Sequence, residues 1–202
     1  MAQSLKDRPG VVEELPAGSR WRTLLVIALV SAVVVGGGWW LTRPVMTGGA
    51  EGNYAAVTVA DAAAAPSIGD LAPDFTATTT DGSTITLSQL RGRPVWLTFG
   101  ATWCAPCRVE APDIQAAHAA SLADVQIVSV YLGEEKPVID QFTTSLGLTF
   151  THVPDPDKRL ASAWGVNGIP VHWFIDAEGH IRATQVGILG PDRINELVTP
   201  LA

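Results

Sequence analysis

The pattern of apolar and polar positions divides the chain in two. Between Arg22 and Arg43 lie twenty residues without a charge, Thr23 to Thr42, and no polar face interrupts them. As a helix rising about 1.5 Å per residue this stretch covers roughly 30 Å, the thickness of a bilayer's hydrocarbon core. From Pro66 onward short apolar runs alternate with segments of helical periodicity, which predicts a mixed α/β sheet. Phe75 to Thr79 and Ser83 to Leu87 flank the turn Asp81-Gly82 and predict a hairpin. One helical turn at Ser88 to Leu90 precedes the strand Val95 to Phe99. A helix follows from Cys104 to about Leu122, with Val109, Ile114, Ala117 and Leu122 on its apolar side and a kink at Pro112. Val125 to Leu132 reads as a buried strand, Pro137 to Leu146 as an amphipathic helix, and Phe150 to Val153 as a short edge segment. Asp157 is the expected cap of a helix through Trp164 that Gly165 ends. Strands Val171 to Asp176 and Ile181 to Val186 surround a turn, and Asp192 to Val198 closes the chain as a helix.

The segments before Pro66 carry a topology. Residues 1–22 are polar, mixed in charge and punctuated by Pro9, Gly10, Pro16 and Gly18, which predicts a tail without fixed structure. Arg20 and Arg22, helped by Lys6 and Arg8, outweigh Arg43, so the positive-inside rule puts this tail in the cytoplasm and everything after Arg43 outside. Trp39 and Trp40 suit the outer interface. A cleaved signal peptide with its apolar part at Leu24 to Val35 is the alternative; no small-x-small cleavage site follows closely, so residues 23–42 are read as a retained transmembrane signal anchor of the cell membrane, single-pass. Residues 43–65, rich in Gly, Ala, Thr and Val, read as a flexible linker, or else contribute a short strand at Ala56 to Val59. Residues 66–202 form the folded domain.

Charge narrows the partners. The chain has 13 basic and 20 acidic residues, and the net charge of −7 falls on the part after Pro66. This argues against nucleic acid as a partner.

Both cysteines of the chain lie in Trp103-Cys104-Ala105-Pro106-Cys107. Two intervening residues suit one turn of a helix N-terminus, where two sulfurs can form and break a small ring while the backbone barely moves. C-x-x-C also serves as half of a zinc site or as a structural bridge. A closed zinc site needs two further ligands, and His118, His152, His172 and His180 lie scattered, so a dithiol redox centre is the favoured reading and no metal or other cofactor is implied. At a helix start, free N–H groups and the macrodipole favour thiolate at Cys104, which makes it the attacking sulfur. Cys107, expected one turn deeper, resolves the mixed disulfide. Pro106 costs no hydrogen bond in the first turn and stiffens the loop, and Ala105 adds little to the potential.

Taken together, W-C-A-P-C after an apolar strand, Pro112 inside the next helix, and Gly168-Ile169-Pro170 before a second apolar strand resemble the thioredoxin superfamily. Ala72-Pro73-Asp74-Phe75 with its hairpin, Glu110 three residues after Cys107, and extra sequence in the centre resemble its membrane-anchored, extracytoplasmic TlpA/ResA-type branch, with a redoxin-like domain from about Pro66 to Ala202. The resemblance implies a thioredoxin-like α/β fold: a central mixed sheet flanked by helices, with an N-terminal hairpin and a central insertion, preceded by one transmembrane helix. It implies a protein disulfide oxidoreductase that reduces disulfides of extracytoplasmic client proteins, apocytochrome c being the best-known type in cytochrome c biogenesis, or that serves cell redox homeostasis. Such an enzyme is recharged by a membrane electron donor of the thiol-disulfide relay type. It also implies a cis bond before Pro170, with the backbone of Ile169 and the surface of Trp103, Ala105 and Pro106 meeting the client.

Glu110 shares a helical face with Cys107. Its carboxylate can accept the Cys107 proton or raise the thiol pKa values by like-charge repulsion; the plain alternative is a solvated helix glutamate. Trp103 can cover the disulfide or simply pack. His172 reads as a satisfied or exposed histidine; Arg108, beside Cys107, can lower a thiol pKa or be an ordinary solvated arginine at a helix start. Two other function classes stand beside the reductase. A thiol peroxidase resemblance wants Pro and Thr seven and three residues before the reactive cysteine, where this chain has Leu97 and Ala101. A copper-delivery protein of thioredoxin-like kind wants three residues between the cysteines.

Overall fold

The computed structural model describes residues 17–41, 58–59 and 65–201. The chain separates into two units, Met1–Ala50 and Glu51–Ala202. In the first, α1 runs Ala17–Leu41, so a helix begins within the stretch expected to be tail. Its described side chains at 24–34 are exposed on every face. Among the described residues no helix is long and apolar enough to cross a membrane. Residues 1–16 and Thr42 lie outside the described residues.

In the second unit a small antiparallel sheet joins β1 (Thr58–Val59), β2 (Phe75–Thr78) and β3 (Thr84–Thr86), in that order. The expected linker therefore contributes a strand, with Thr58 opposite Thr76, while 43–57 and 60–64 lie outside the described residues. The turn between β2 and β3 is tied by Asp81, whose carboxylate accepts from the Ser83 N–H (2.9 Å) and the Thr79 hydroxyl (2.5 Å). Those bonds, the one from Thr79 foremost, bring the Asp81 pKa down to about 2.

The main sheet has five strands: β4 (Val95–Gly100), β5 (Gln126–Leu132), β6 (Thr151–Asp155), β7 (Val171–Ile175) and β8 (Ile181–Val186), ordered β6-β5-β4-β7-β8. β4 pairs in parallel with β5 and antiparallel with β7, and every residue of it is buried, which is why it reads as an unbroken apolar run. Alternation along β4 feeds two cores. Val95, Leu97 and Phe99 join Phe75, Leu160, Trp164 and Trp173 on one face. Trp96 joins Ile114, Ile139, Phe174 and Ile194 on the other. The second core is roofed by α2 (Ala105–Ala119), α3 (Lys136–Leu146) and α5 (Pro191–Val198); the short α4 (Arg159–Ala163) supplies Leu160 to the first.

Three local expectations are corrected. The inner face of α2 is Glu110, Ala111, Ile114 and Ala117, so Ile114 and Ala117 are buried as expected while Val109 points to solvent and Glu110 takes a place on the inner face. α2 is continuous across Pro112 but stops at Ala119 rather than Leu122, where Ser121, Ala123 and Asp124 turn left-handed. The free N–H groups at the start of α4 are met by Asp155, not Asp157: the N-cap position is Lys158, whose side chain makes no cap bond, and the buried Asp155 carboxylate accepts from the N–H groups of Leu160 (3.2 Å) and Ala161 (2.9 Å), with burial raising its pKa. Gly165, at φ +62°, ends that helix in the conformation that glycine adopts at least cost.

Candidate active site

The C-terminal end of β4 and the N-terminal end of β7 lie side by side, because Phe99 pairs with Val171. The chain leaving β4 becomes the loop Ala101-Thr102-Trp103 and enters α2. The chain entering β7 comes through Ile169-Pro170, whose peptide bond is cis. This brings the cysteine pair and the cis-proline segment, about 65 residues apart in sequence, to the same end of two adjacent central strands.

Cys104 and Cys107 are joined as a disulfide, with S–S 2.08 Å and Cα–Cα 5.3 Å. Cys104 is the N-cap of α2, and its Sγ accepts the Cys107 N–H at 3.2 Å. On reduction the same donor and the helix end favour negative charge on this sulfur. Cys107 Sγ packs on Gly100: a Cβ there would sit 3.3 Å from the sulfur, so a larger residue would make the sulfur give by a few tenths of an ångström. The exposure order corrects the expected one. As whole residues Cys104 is only 5% exposed and Cys107 is half-buried. Cys104 is drawn in by its cap geometry, its N–H donating to Ala101 O (3.1 Å) and its carbonyl accepting from Arg108 N–H (3.1 Å).

Around the pair, Trp103 is 69% exposed, Ala105 and Pro106 are exposed, Ile169 is half-buried and Pro170 is buried. Trp103 thus presents its ring to solvent rather than to a core. Arg108 is not simply solvated: its Nη1 donates to Thr102 O (3.2 Å) and its guanidinium lies 5.4 Å from the centre of the Phe142 ring.

Glu110 is no solvated helix glutamate. It is 2% exposed, its carboxylate accepts the Leu189 N–H at 3.0 Å, and Oε2 lies 3.4 Å from His172 Nε2. His172, read from the sequence as a satisfied or exposed histidine, is fully buried and accepts the Trp96 indole N–H at Nδ1 (3.3 Å). These side chains share the α2 face of the sheet with Gly100, because Trp96, Thr98 and Gly100 alternate along β4 and His172 is in register with Thr98.

Glu134, also unassigned from sequence, is buried just after β5 and accepts from Thr102 N–H (2.7 Å) and Thr102 Oγ1 (2.5 Å). With Arg108 on its carbonyl, Thr102 has every polar group engaged, which fixes the loop before Cys104. Charged acceptors in such bonds contribute about 1.5–3 kcal/mol. Glu134→Ala is therefore expected to lower stability by about 2 kcal/mol in urea denaturation and to speed alkylation of the reduced cysteines. Unchanged stability and alkylation would mean that the loop holds itself. Among the described residues no group of three or more His, Cys, Asp or Glu is arranged to hold a metal ion.

A sequence model of the AhpC/TSA family matches residues 68–184. The thiol-disulfide oxidoreductase ResA of Bacillus subtilis is 36% identical over 130 residues, covering 63% of this chain and 72% of the relative. ResA of Oceanobacillus iheyensis is 35% identical over 140 residues, covering 67% and 73%. Among solved structures, MTB dsbF in its mixed oxidized and reduced forms superposes with a TM-score of 0.59 at 30% identity, covering 63% of this chain and 95% of that chain.

Proposed function

We propose, from the premise that this chain belongs to the AhpC/TSA family of thioredoxin-like proteins and is a protein disulfide oxidoreductase, that it is a membrane-anchored reductase of client disulfides outside the cytoplasm. The observation that carries the chemistry is the Cys104–Cys107 disulfide at the start of α2, with Cys104 Sγ accepting a helix N–H. In the reduced protein Cys104 thiolate attacks one sulfur of the client disulfide, and the other client sulfur leaves as thiolate. Cys107 gives up its proton to Glu110, then attacks Cys104 Sγ. The second client thiol is released, and two electrons have passed from the dithiol to the client. A dithiol relay in the membrane restores the reduced state. Trp103, Ala105, Pro106 and Ile169-Pro170 form the surface that meets the client.

The anchor is supported by the uncharged stretch from Thr23 to Thr42 and its overlap with α1. The orientation is supported by Arg20 and Arg22 on its N-terminal side. Outside the cytosol the surroundings are oxidising, so a reductase there works only if recharged. Cytochrome c maturation or general redox homeostasis is the setting that the resemblance to the TlpA/ResA-type branch implies, and the relatives named thiol-disulfide oxidoreductase ResA support the exchange chemistry. Peroxide is the weaker substrate: Ala101, where a peroxidase has a hydroxyl, is buried and apolar.

Two measurements test this reading. A membrane-impermeant maleimide applied to intact cells is expected to label the reduced cysteines; labelling only after lysis would place them inside. The equilibrium potential of the full chain against glutathione is expected near about −270 mV, whereas a value near about −120 mV would make the protein an oxidant.

A further inference from the structure

We propose that His172 is a positioning residue of the dithiol, holding the Glu110 carboxylate through its Nε2–H in the orientation in which that carboxylate receives the Cys107 proton. The inference rests on the role given to Glu110 above and adds a residue that the cysteine motif does not contain.

The Trp96 indole N–H only donates, and it points at His172 Nδ1 at 3.3 Å. Nδ1 must therefore be the bare, accepting nitrogen, and a neutral ring then carries its hydrogen on Nε2. Nε2 is fully buried and has no hydrogen-bond partner within ordinary geometry. The nearby acceptor that the ring faces is Glu110 Oε2 at 3.4 Å. A buried polar hydrogen without a partner is costly, so the short closure onto Glu110 is favoured once the carboxylate is charged.

Trp96 also blocks the other use of the ring. A second proton on Nδ1 would confront the indole N–H, so His172 does not serve as the proton store; it donates, and Glu110 accepts. In the proposed arrangement the Glu110 carboxylate is held from two sides, by the Leu189 N–H on the segment before α5 and, once the 3.4 Å gap closes, by the His172 Nε2–H on β7. Among the described residues no lysine or arginine pairs with it. Cys107 lies three residues back on α2, on nearly the same helical face as Glu110, with its sulfur over Gly100, two residues along β4 from Thr98, the register partner of His172. That separation is about 7 Å along the strand. The proton therefore moves from Cys107 sulfur to a carboxylate that is already oriented. Cys107 thiolate then forms its bond to Cys104 Sγ while the bond from Cys104 to the client breaks.

The test uses the reduced full-length protein and a chromogenic aryl disulfide, which releases one coloured thiolate when Cys104 attacks and a second when Cys107 resolves. His172→Leu is expected to leave the first phase within twofold and to slow the second about tenfold near neutral pH, part of the roughly 10²–10⁴ that a placed base contributes. His172→Gln, whose amide can both accept from Trp96 and donate to Glu110, is expected to stay within threefold of the native rate. In the E110Q background, His172→Leu is expected to add nothing. Equal slowing by His172→Leu in both backgrounds, or H172Q as slow as H172L, overturns the inference. A second phase untouched by E110Q alone would instead remove the premise about Glu110, visible before any His172 variant is made. Melting curves of each variant separate loss of fold from loss of positioning.

Discussion

Cys104→Ser is expected to lower disulfide reduction to below about 1% of the native rate, whereas Cys107→Ser is expected to keep the first attack and then stall with the client attached. The difference follows from which sulfur is ionised. Thiol reactivity follows the thiolate fraction, and the Cys104 sulfur is the one that caps α2 and accepts the Cys107 N–H. A helix end stabilises such a charge by up to about 2 kcal/mol in a partly buried setting. Exposure points the other way, since Cys104 is the more buried residue of the oxidised pair. Electrostatics decides, because a protonated thiol does not attack however open it is. Non-reducing gels of each serine variant with a disulfide-bearing test protein read the outcome: mixed disulfide should accumulate with Cys107→Ser and be absent with Cys104→Ser. The opposite pattern would exchange the two roles.

Acid is expected to weaken the domain through His152. Burial is the largest cause of its pKa falling from 6.5 to about 4, with nearby His118 in the same direction and the Leu148 backbone and Asp140 against it. Its ring lies against Phe150 at 4.6 Å between centres, and Nδ1 meets the Tyr131 hydroxyl at 3.1 Å. Burial likewise raises the Tyr131 pKa, so this phenol stays protonated. The folded state holds His152 neutral while the unfolded chain takes a proton below about pH 6.5, so stability falls as pH drops through the window from 6.5 to about 4. At about 1.4 kcal/mol per unit, the loss amounts to about 3 kcal/mol. Asp155, raised by burial, acts with opposite sign just above its unbound value of 3.8. The informative quantity is therefore the difference between native protein and His152→Phe in urea denaturation at pH 7 and pH 4.5. That difference should shift by at least about 2 kcal/mol between the two pH values; parallel stability curves would show that His152 titrates normally.

The sequence alone determined every main-sheet strand and the larger helices, because their signals are local: an unbroken apolar run at Val95 to Phe99, helical spacing at Val138 to Leu146, a turn at Asp81-Gly82. It also placed the dithiol, because C-x-x-C at a strand-to-helix junction is a local motif. What it missed was decided at a distance. Glu110 meets the Leu189 N–H across 79 residues, Trp96 meets His172 across 76, and Thr102 meets Glu134 across 32. No periodicity within one helix or strand encodes such pairs. They exist because β4 pairs antiparallel with β7 and lies beside β5, and because α2 packs on the face those strands share. The same packing left Val109 outward and buried Glu110, although Ile114 and Ala117 face inward as their spacing predicts. Local pattern fixed where the sulfurs lie along the chain, whereas the crossing of distant elements fixed which carboxylate and imidazole were buried beside them.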